Sequence, residues 1–424
     1  MQADRTDFPL EDCMDAIIDY RGKTPTKTSS GIPLVTAKIV KDGRLEKPSE
    51  YISEEDYPRW MTRGLPKIGD VVLTTEAPLG EVAQLTDEKV ALAQRIILLR
   101  GKPEILDNTY LKFLLRSEEL QHRLSARASG STVAGIKQSE LRRIILPLPR
   151  ISEQRAIASV LGALDDKIDI NHKLSATFEA IVKALFKSWF VDFEPVRAKD
   201  EKRVSNMAPD IAAMFPTHLI ESDLGSIPDG WTTLPLSKVL EESNERIGER
   251  IAPEYSSTND GLRLRSDRFS KTLAVSSEKN KLIKKGFLVF GLSRSVLNFG
   301  LMRDDIGSVS AAYKVYKVND RIISPDLLER LMRLNPEHFY KAVSASSREG
   351  QSVSTDGLGV LKFVRPPQDV QDAFYPADRL LTSRIQALEL ETQTLASIRD
   401  TLLPNLLSGK VCVSELDLIL EKTA

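Results

Sequence analysis

Cysteine is nearly absent from this chain. Its 424 residues include two, Cys13 and Cys412, one near each end. That leaves no disulfide framework and no clustered zinc-ligand set, and it fits a reducing compartment. Histidine is almost as scarce: His122, His172, His218 and His338 are scattered, as surface or helix positions would be. No apolar run approaches the roughly 20 residues of a membrane span. Residues 1–9 are charged and lack the apolar core of a signal peptide. The expectation is a cytoplasmic protein with no membrane partner.

Catalytic motifs are missing as well. There is no Walker A loop, no Gly-x-Gly-x-x-Gly after a strand and no His-Glu-x-x-His. Nor is there an Asp-Pro-Pro-Tyr or Asn-Pro-Pro-Tyr to clamp an adenine amino group. Pro209-Asp210 and Pro325-Asp326 lack a following Glu-x-Lys and read as helix starts. No catalytic residue, metal site or cofactor is expected in this chain. Charge of one sign does not dominate either, with 59 Lys and Arg against 60 Asp and Glu. A uniformly basic nucleic-acid binder is therefore excluded. Local basic stripes remain, one from Lys112 to Arg155 and one from Arg246 to Arg303. Solvated faces of mixed charge also produce such stripes.

What the chain does have is a long helical period, written twice. Leu161, Leu164, Ile168, Asn171, Ser175, Phe178, Val182, Leu185 and Trp189 recur at alternating steps of three and four. This spacing keeps one narrow seam on one face, the pattern of a helix packed along another. Leu381, Ile385, Leu388, Thr392, Leu395, Arg399, Leu402 and Leu406 repeat it, and Ile385, Leu395 and Leu402 stand 217 positions after Ile168, Phe178 and Leu185. Asn171 on the first seam would fix the register of a helix pair at some cost in stability. A repeat this long is a duplicated module rather than a solenoid unit.

The stretches before the helices replay one another. Short strands at 32–36, 70–75 and 90–100, a helix at 108–125, a polar loop at 128–133 and a proline-ended strand at 144–149 make the first series. The second has strands at 283–290 and 310–316, a helix at 326–343, a polar loop at 348–353 and a strand at 363–367. Asn108 and Ser152 are the expected helix caps. The expected domains are a first module at 1–150, a long helix at 151–196, a connector at 197–230, a second module at 231–370, and a second helix with tail at 371–424. The fold class is α+β: two similar α/β domains joined by two long antiparallel coiled-coil helices with internal pseudo-two-fold symmetry. A helix of about 40 residues is roughly 60 Å long, so the pair would act as a ruler between two unlike heads. Duplex DNA has a matching local two-fold. A two-headed protein scaffold fits the same geometry.

Leu148-Pro149-Arg150-Ile151-Ser152-Glu153-Gln154 followed by Ala156-Ile157-Ala158 resembles the PLP-x-x-EQ-x-x-IA start of the helices in type I restriction–modification specificity subunits. Leu185 to Phe193 (LFKSWFVDF), the LG-x-IP-x-GW opening from Leu224 to Trp231, and Leu402 to Gly409 (LLPNLLSG) resemble the same family, in the same order. The first module departs by starting at Phe8-Pro9-Leu10 without the IP-x-GW signature, and the second helix reads Val370-Gln371 where the pattern has Glu-Gln. The resemblance implies two target-recognition domains reading a bipartite, asymmetric site in double-stranded DNA. It also implies that the helices dock two modification subunits, which supply S-adenosylmethionine and the N6-adenine chemistry, and that a restriction motor subunit joins for cleavage. A diverged anti-restriction decoy of the same fold is the competing reading.

Candidate DNA contacts are polar residues in the variable turns. In the first module they are Arg21, Lys23, Thr24, Glu76, Gln94, Arg95, Ser129, Ser131 and Thr132. In the second they are Arg263, Arg265, Ser293, Arg294, Ser295, Asn298, Arg348, Gln351 and Ser352. Arginine suits guanine and glutamine suits adenine in the major groove, while hydroxyls grip phosphate. Ordinary surface turns use the same residues. Candidate docking residues on the helices are Gln154, Asn171, Phe178, Leu185, Trp189, Ile385, Leu395 and Leu402.

Overall fold

The computed structural model describes residues 5–20, 22, 24–130, 133–204, 207–259, 261–266, 277–292, 298–340, 343–344, 352–353 and 355–413. The chain forms two compact units. The first takes residues 1–174 and 387–424, and the second takes residues 175–386.

Unit one is built on a four-stranded sheet in the order Met14–Asp19, Ile96–Gly101, Val71–Thr75 and Leu79–Gln84, antiparallel throughout. Both faces are covered, which is why the strands read as unbroken apolar runs rather than alternating ones. Val71, Leu73, Ile97 and Leu99 face a core that includes Tyr110, Phe113, Ile157 and Leu161. Val72, Ile96 and Leu98 face the other way, onto Ile32, Leu34, Ile52 and Leu92. A glycine at positive φ, Gly69, turns the chain into the strand at Val71 (φ 88°), where a side chain would be strained.

Unit two repeats this sheet as Leu240–Glu242, Lys314–Val318, Phe287–Phe290 and Phe299–Leu301. The register is the same. Ile97 pairs with Leu73 and Leu98 with Val72, and the residues 217 later, Lys314 with Phe290 and Val315 with Val289, keep that antiparallel pairing. Gly286 (φ 81°) stands 217 after Gly69 and makes the same turn. The opening strands follow a different interval. Thr6–Pro9 pairs with Ile145–Leu148, and its equivalent Thr232–Pro235, 226 positions later, pairs with Lys362–Arg365. The first strand of the central sheet keeps that longer interval, Leu240 standing 226 after Met14, so unit two is nine residues shorter between this strand and Phe287–Phe290.

Two 40-residue helices, Ile151–Phe190 and Gln368–Leu407, begin and end 217 apart. Their partners fall as the chain rises, so they run antiparallel: in unit one Asp165 meets Arg399 and Asn171 meets Glu391, and in unit two Phe186 meets Phe374. None of the seam positions named from the sequence is exposed.

Helix limits differ in detail from the sequence expectations. The stretch 108–125 is two helices, Asn108–Arg116 and Glu118–Ala126. Asp107, not Asn108, caps the first by accepting from Tyr110 N at 2.9 Å, while Asn108 Oδ1 accepts from Gly101 N at 2.7 Å. The first long helix starts at Ile151, so Ser152 lies inside its first turn. In unit two the helix ends at Leu334 and a shorter one covers Pro336–Tyr340. Pro336 lacks the N–H that would continue it.

Candidate nucleic-acid interface

In unit one, residues far apart in sequence meet on one rim. Arg95 immediately precedes the strand Ile96–Gly101, and its carbonyl accepts from Thr75 N at 3.0 Å. Glu76 follows the neighbouring strand and forms an antiparallel bridge with Gly135, which in turn exchanges both main-chain bonds with Ser129. Across that fixed backbone Arg95 Nε lies 3.0 Å from Glu76 Oε1, with the two side chains 50% and 44% exposed. Thr24 Oγ1 donates to Gln94 Oε1 at 3.5 Å. Thr24, Glu76, Gln94, Arg95 and Ser129 are therefore one cluster. Arg21, Lys23, Ser131 and Thr132 lie outside the described residues.

Unit two presents a different surface. Gln94 and Arg95 correspond at the 217 interval to Ala311 and Ala312. Arg263 is exposed on the strand Gly261–Leu264, opposite Ser256. Arg265 is less available than the sequence implied, because its Nη1 donates to Glu254 Oε1 at 2.9 Å and it is half-buried. Asn298 is also half-buried, donating to the Leu292 carbonyl at 3.4 Å. Ser293, Arg294, Ser295, Arg348 and Gln351 lie outside the described residues. Ser352 has a described backbone only, paired with Ser344.

Gln154 was expected to face a partner and instead is fully buried (0% exposed). Its Oε1 accepts from Asp107 N at 3.0 Å, and its Nε2 donates to the carbonyls of Ile105 and Pro149, both at 2.9 Å. Gln371 repeats the arrangement, accepting from Ser324 N and donating to Ile322 and Pro366 carbonyls at 3.4, 3.2 and 3.0 Å. Every partner is displaced by 217 positions. The glutamine of the helix-start motif is a brace that ties each long helix to its own domain.

Asn171 and Trp189 are also buried, at 0% and 5%. Asn171 donates to Glu391 Oε2 at 2.9 Å and so fixes the register of the helix pair, but it offers nothing to an outside partner. Trp189 packs edge-on against Phe215 and Phe374 in the core of unit two. Phe178, Leu185, Ile385, Leu395 and Leu402 are half-buried on the seam. The apolar side chains that do face outward are others: Ile170, Leu174, Leu390 and Ile398 in unit one, and Ile181, Tyr375 and Leu380 in unit two. They are out of phase with the seam. A search for apolar residues left over after the 3.5 period would have found them.

Beside Asn171, unit one carries a buried charge cluster. Lys112 and Arg116 from the domain lie 2.7 and 3.4 Å from Asp165 Oδ2, and Arg399 of the other helix lies 2.8 Å from Oδ1. Burial alone would raise the Asp165 carboxyl, but Lys112, Arg399 and Arg116 outweigh it and hold it below the usual carboxylate range. In unit two the domain is tied to its helix one turn earlier in the repeat, by Arg330 at 2.5 Å from Asp378. There burial dominates, and the Asp378 carboxyl is held above its usual value despite Arg330. Among the described residues no group of acidic, His and Cys side chains could hold a metal, and no helix is long and apolar enough to cross a membrane.

Comparison with known proteins converges on one family. Residues 16–180 match the type I restriction modification DNA specificity domain. The type I restriction enzyme MjaIX specificity subunit of Methanocaldococcus jannaschii is 27% identical, over 91% of this chain and 88% of its own length. The HindI specificity subunit of Haemophilus influenzae is 22% identical, over 76% and 82%. The crystal structure of the type I restriction–modification S subunit from M. genitalium shares the fold, with a TM-score of 0.55 at 15% identity, covering 95% of this chain and 96% of that one. Residues 16–180 thus match a type I restriction modification DNA specificity domain, and over most of its length the chain, with its two-unit α+β fold and two long helices, is similar to type I restriction enzyme specificity subunits.

Proposed function

We propose that this chain is the DNA-reading subunit of a type I restriction–modification complex, with one half of a bipartite site assigned to each unit. The observation that carries the reading is the repeated frame with unlike rims. Sheet register and glutamine brace recur at one interval, whereas Gln94 and Arg95 become Ala311 and Ala312. A frame kept while its polar rim changes is what two readers of different half-sites need. The proposed recognition domains are 1–150 and 231–370, with 197–230 as connector.

The outward apolar side chains of the helices, Ile170, Leu174, Leu390 and Ile398 in unit one and Ile181, Tyr375 and Leu380 in unit two, are the proposed docking faces for two modification subunits. Those partners would bring S-adenosylmethionine; no residue here is assigned to the cofactor. A motor subunit would join the same assembly for cleavage, in the cytoplasm. The test is methylation of genomic DNA by the chain mixed with its modification subunit and S-adenosylmethionine, mapped to single bases. A two-part methylated site is expected. Association without methylation would move the function to a decoy or scaffold.

A further inference from the structure

We infer that Arg95 reads a guanine and that Glu76 is its positioning residue, which places this guanine in the half-site of unit one. The inference rests on the DNA-reading function proposed above. It starts from the backbone. Both residues are pinned by main-chain hydrogen bonds: the Arg95 carbonyl is bonded to Thr75 N, and the Thr75 carbonyl next to Glu76 is bonded to Ile136 N. Ala77, directly after Glu76, has φ 48°, a left-handed conformation uncommon for a residue with a Cβ. Such backbone collects at functional sites.

The side chains then divide the work. Among the described residues the Arg95 guanidinium pairs with Glu76 alone, through Nε. The terminal Nη groups remain as a fork of donors on a half-exposed side chain, and two parallel donors match the O6 and N7 acceptors of guanine. The alternative target, a phosphate, is disfavoured by the same pair. A carboxylate 3.0 Å from the arginine cancels its charge, which removes most of the long-range attraction to an anion. Directional donors survive that cancellation, and base edges are read by direction rather than by net charge. The flanking Gln94, oriented by Thr24, stands ready for the adjacent base. With Ala311 and Ala312 at the matching positions, unit two has no copy of this device.

The test uses the full chain in complex with its modification subunit and duplexes carrying the methylated site. Each base pair of the unit-one half is replaced in turn, for wild type, Arg95→Ala, Arg95→Lys and Glu76→Gln. Wild type should prefer guanine at one position by roughly tenfold to a hundredfold. Arg95→Ala and Arg95→Lys should erase that preference alone and leave the other half-site intact, and Arg95→Lys, which conserves charge, should keep the salt slope of binding. Glu76→Gln should weaken the same preference. Unchanged base preferences in Arg95→Ala would overturn the inference. So would an Arg95→Lys variant that keeps the wild-type base preference and affinity, the mark of a contact made by charge alone. If wild type shows no two-part preference, the DNA-reading function fails too, and that failure is visible before any variant is tested.

Discussion

The two units hold their helices by the same brace and by different bolts. Gln154 and Gln371 make matching sets of three bonds, so the join between domain and helix is one solution used twice. The charged contacts were not duplicated. Unit one gathers three cations around Asp165, and unit two sets Arg330 against Asp378. The cores under the helices also diverge. Unit one uses Ile157, Leu403, Leu406 and Leu407 where unit two uses Phe374, Phe186, Trp189 and Phe190. Bonds that satisfy the main chain at a helix start cannot drift without leaving polar groups bare. Packing and ion pairs can be exchanged for others of similar worth.

The sharpest break of this comparison is at the carboxylates. Asp165→Asn should cost about 3–5 kcal/mol, because it strands buried cations, whereas Asp378→Asn should change stability by about 1 kcal/mol or less, since burial already disfavours its charge. Urea titration of each variant at pH 7 measures both; equal losses would refute the distinction. Their pH dependences run in opposite senses. The stability from Asp165 is complete above the ordinary carboxylate range and is lost as pH falls through its lowered value. The cost of Asp378 is complete above its raised value and fades as pH falls from there into the ordinary range.

Next in size is the brace. Gln154→Ala and Gln371→Ala should each lose about 2–3 kcal/mol by baring main-chain groups, the second slightly less because its bonds are longer. A loss in only one would show that the repeat is not equivalent at this join. Smaller again is Asn171→Leu, where replacing a buried amide on the seam should shift stability by no more than about 1 kcal/mol. Differential scanning calorimetry on the full chain resolves that difference. The smallest effect concerns reactivity. Cys13 lies in the core of unit one, and burial pushes its thiol up to about 11, while Cys412 is exposed. A thiol reagent should label one site promptly and the second only as unit one opens; two prompt labels would contradict the packing.

Much of this frame was legible from residue order. The seam followed from spacing alone, because a 3.5-residue period admits one face. The central strands followed from apolar runs too long to alternate. The 217 interval exposed the duplication, and the opening strands and the first strand of each central sheet, offset by about 226, escaped it. The role of Gln154 was not legible. Its motif marked the position, but its partners Ile105 and Asp107 reach it only through the fold. The rim was half legible. Residue type nominated Arg95 and Glu76, yet their pairing depends on the register that sets residue 95 across from residue 75. The outward apolar residues were missed because a seam search discards whatever lies off the seam.

The most direct test of a two-part reader is to replace residues 244–350 with the corresponding stretch of a related specificity subunit and map methylation base by base. One half of the methylated site should change while the other half and its methylated adenine stay. A site that changes in both halves, or in neither, would contradict the assignment of one half to each unit.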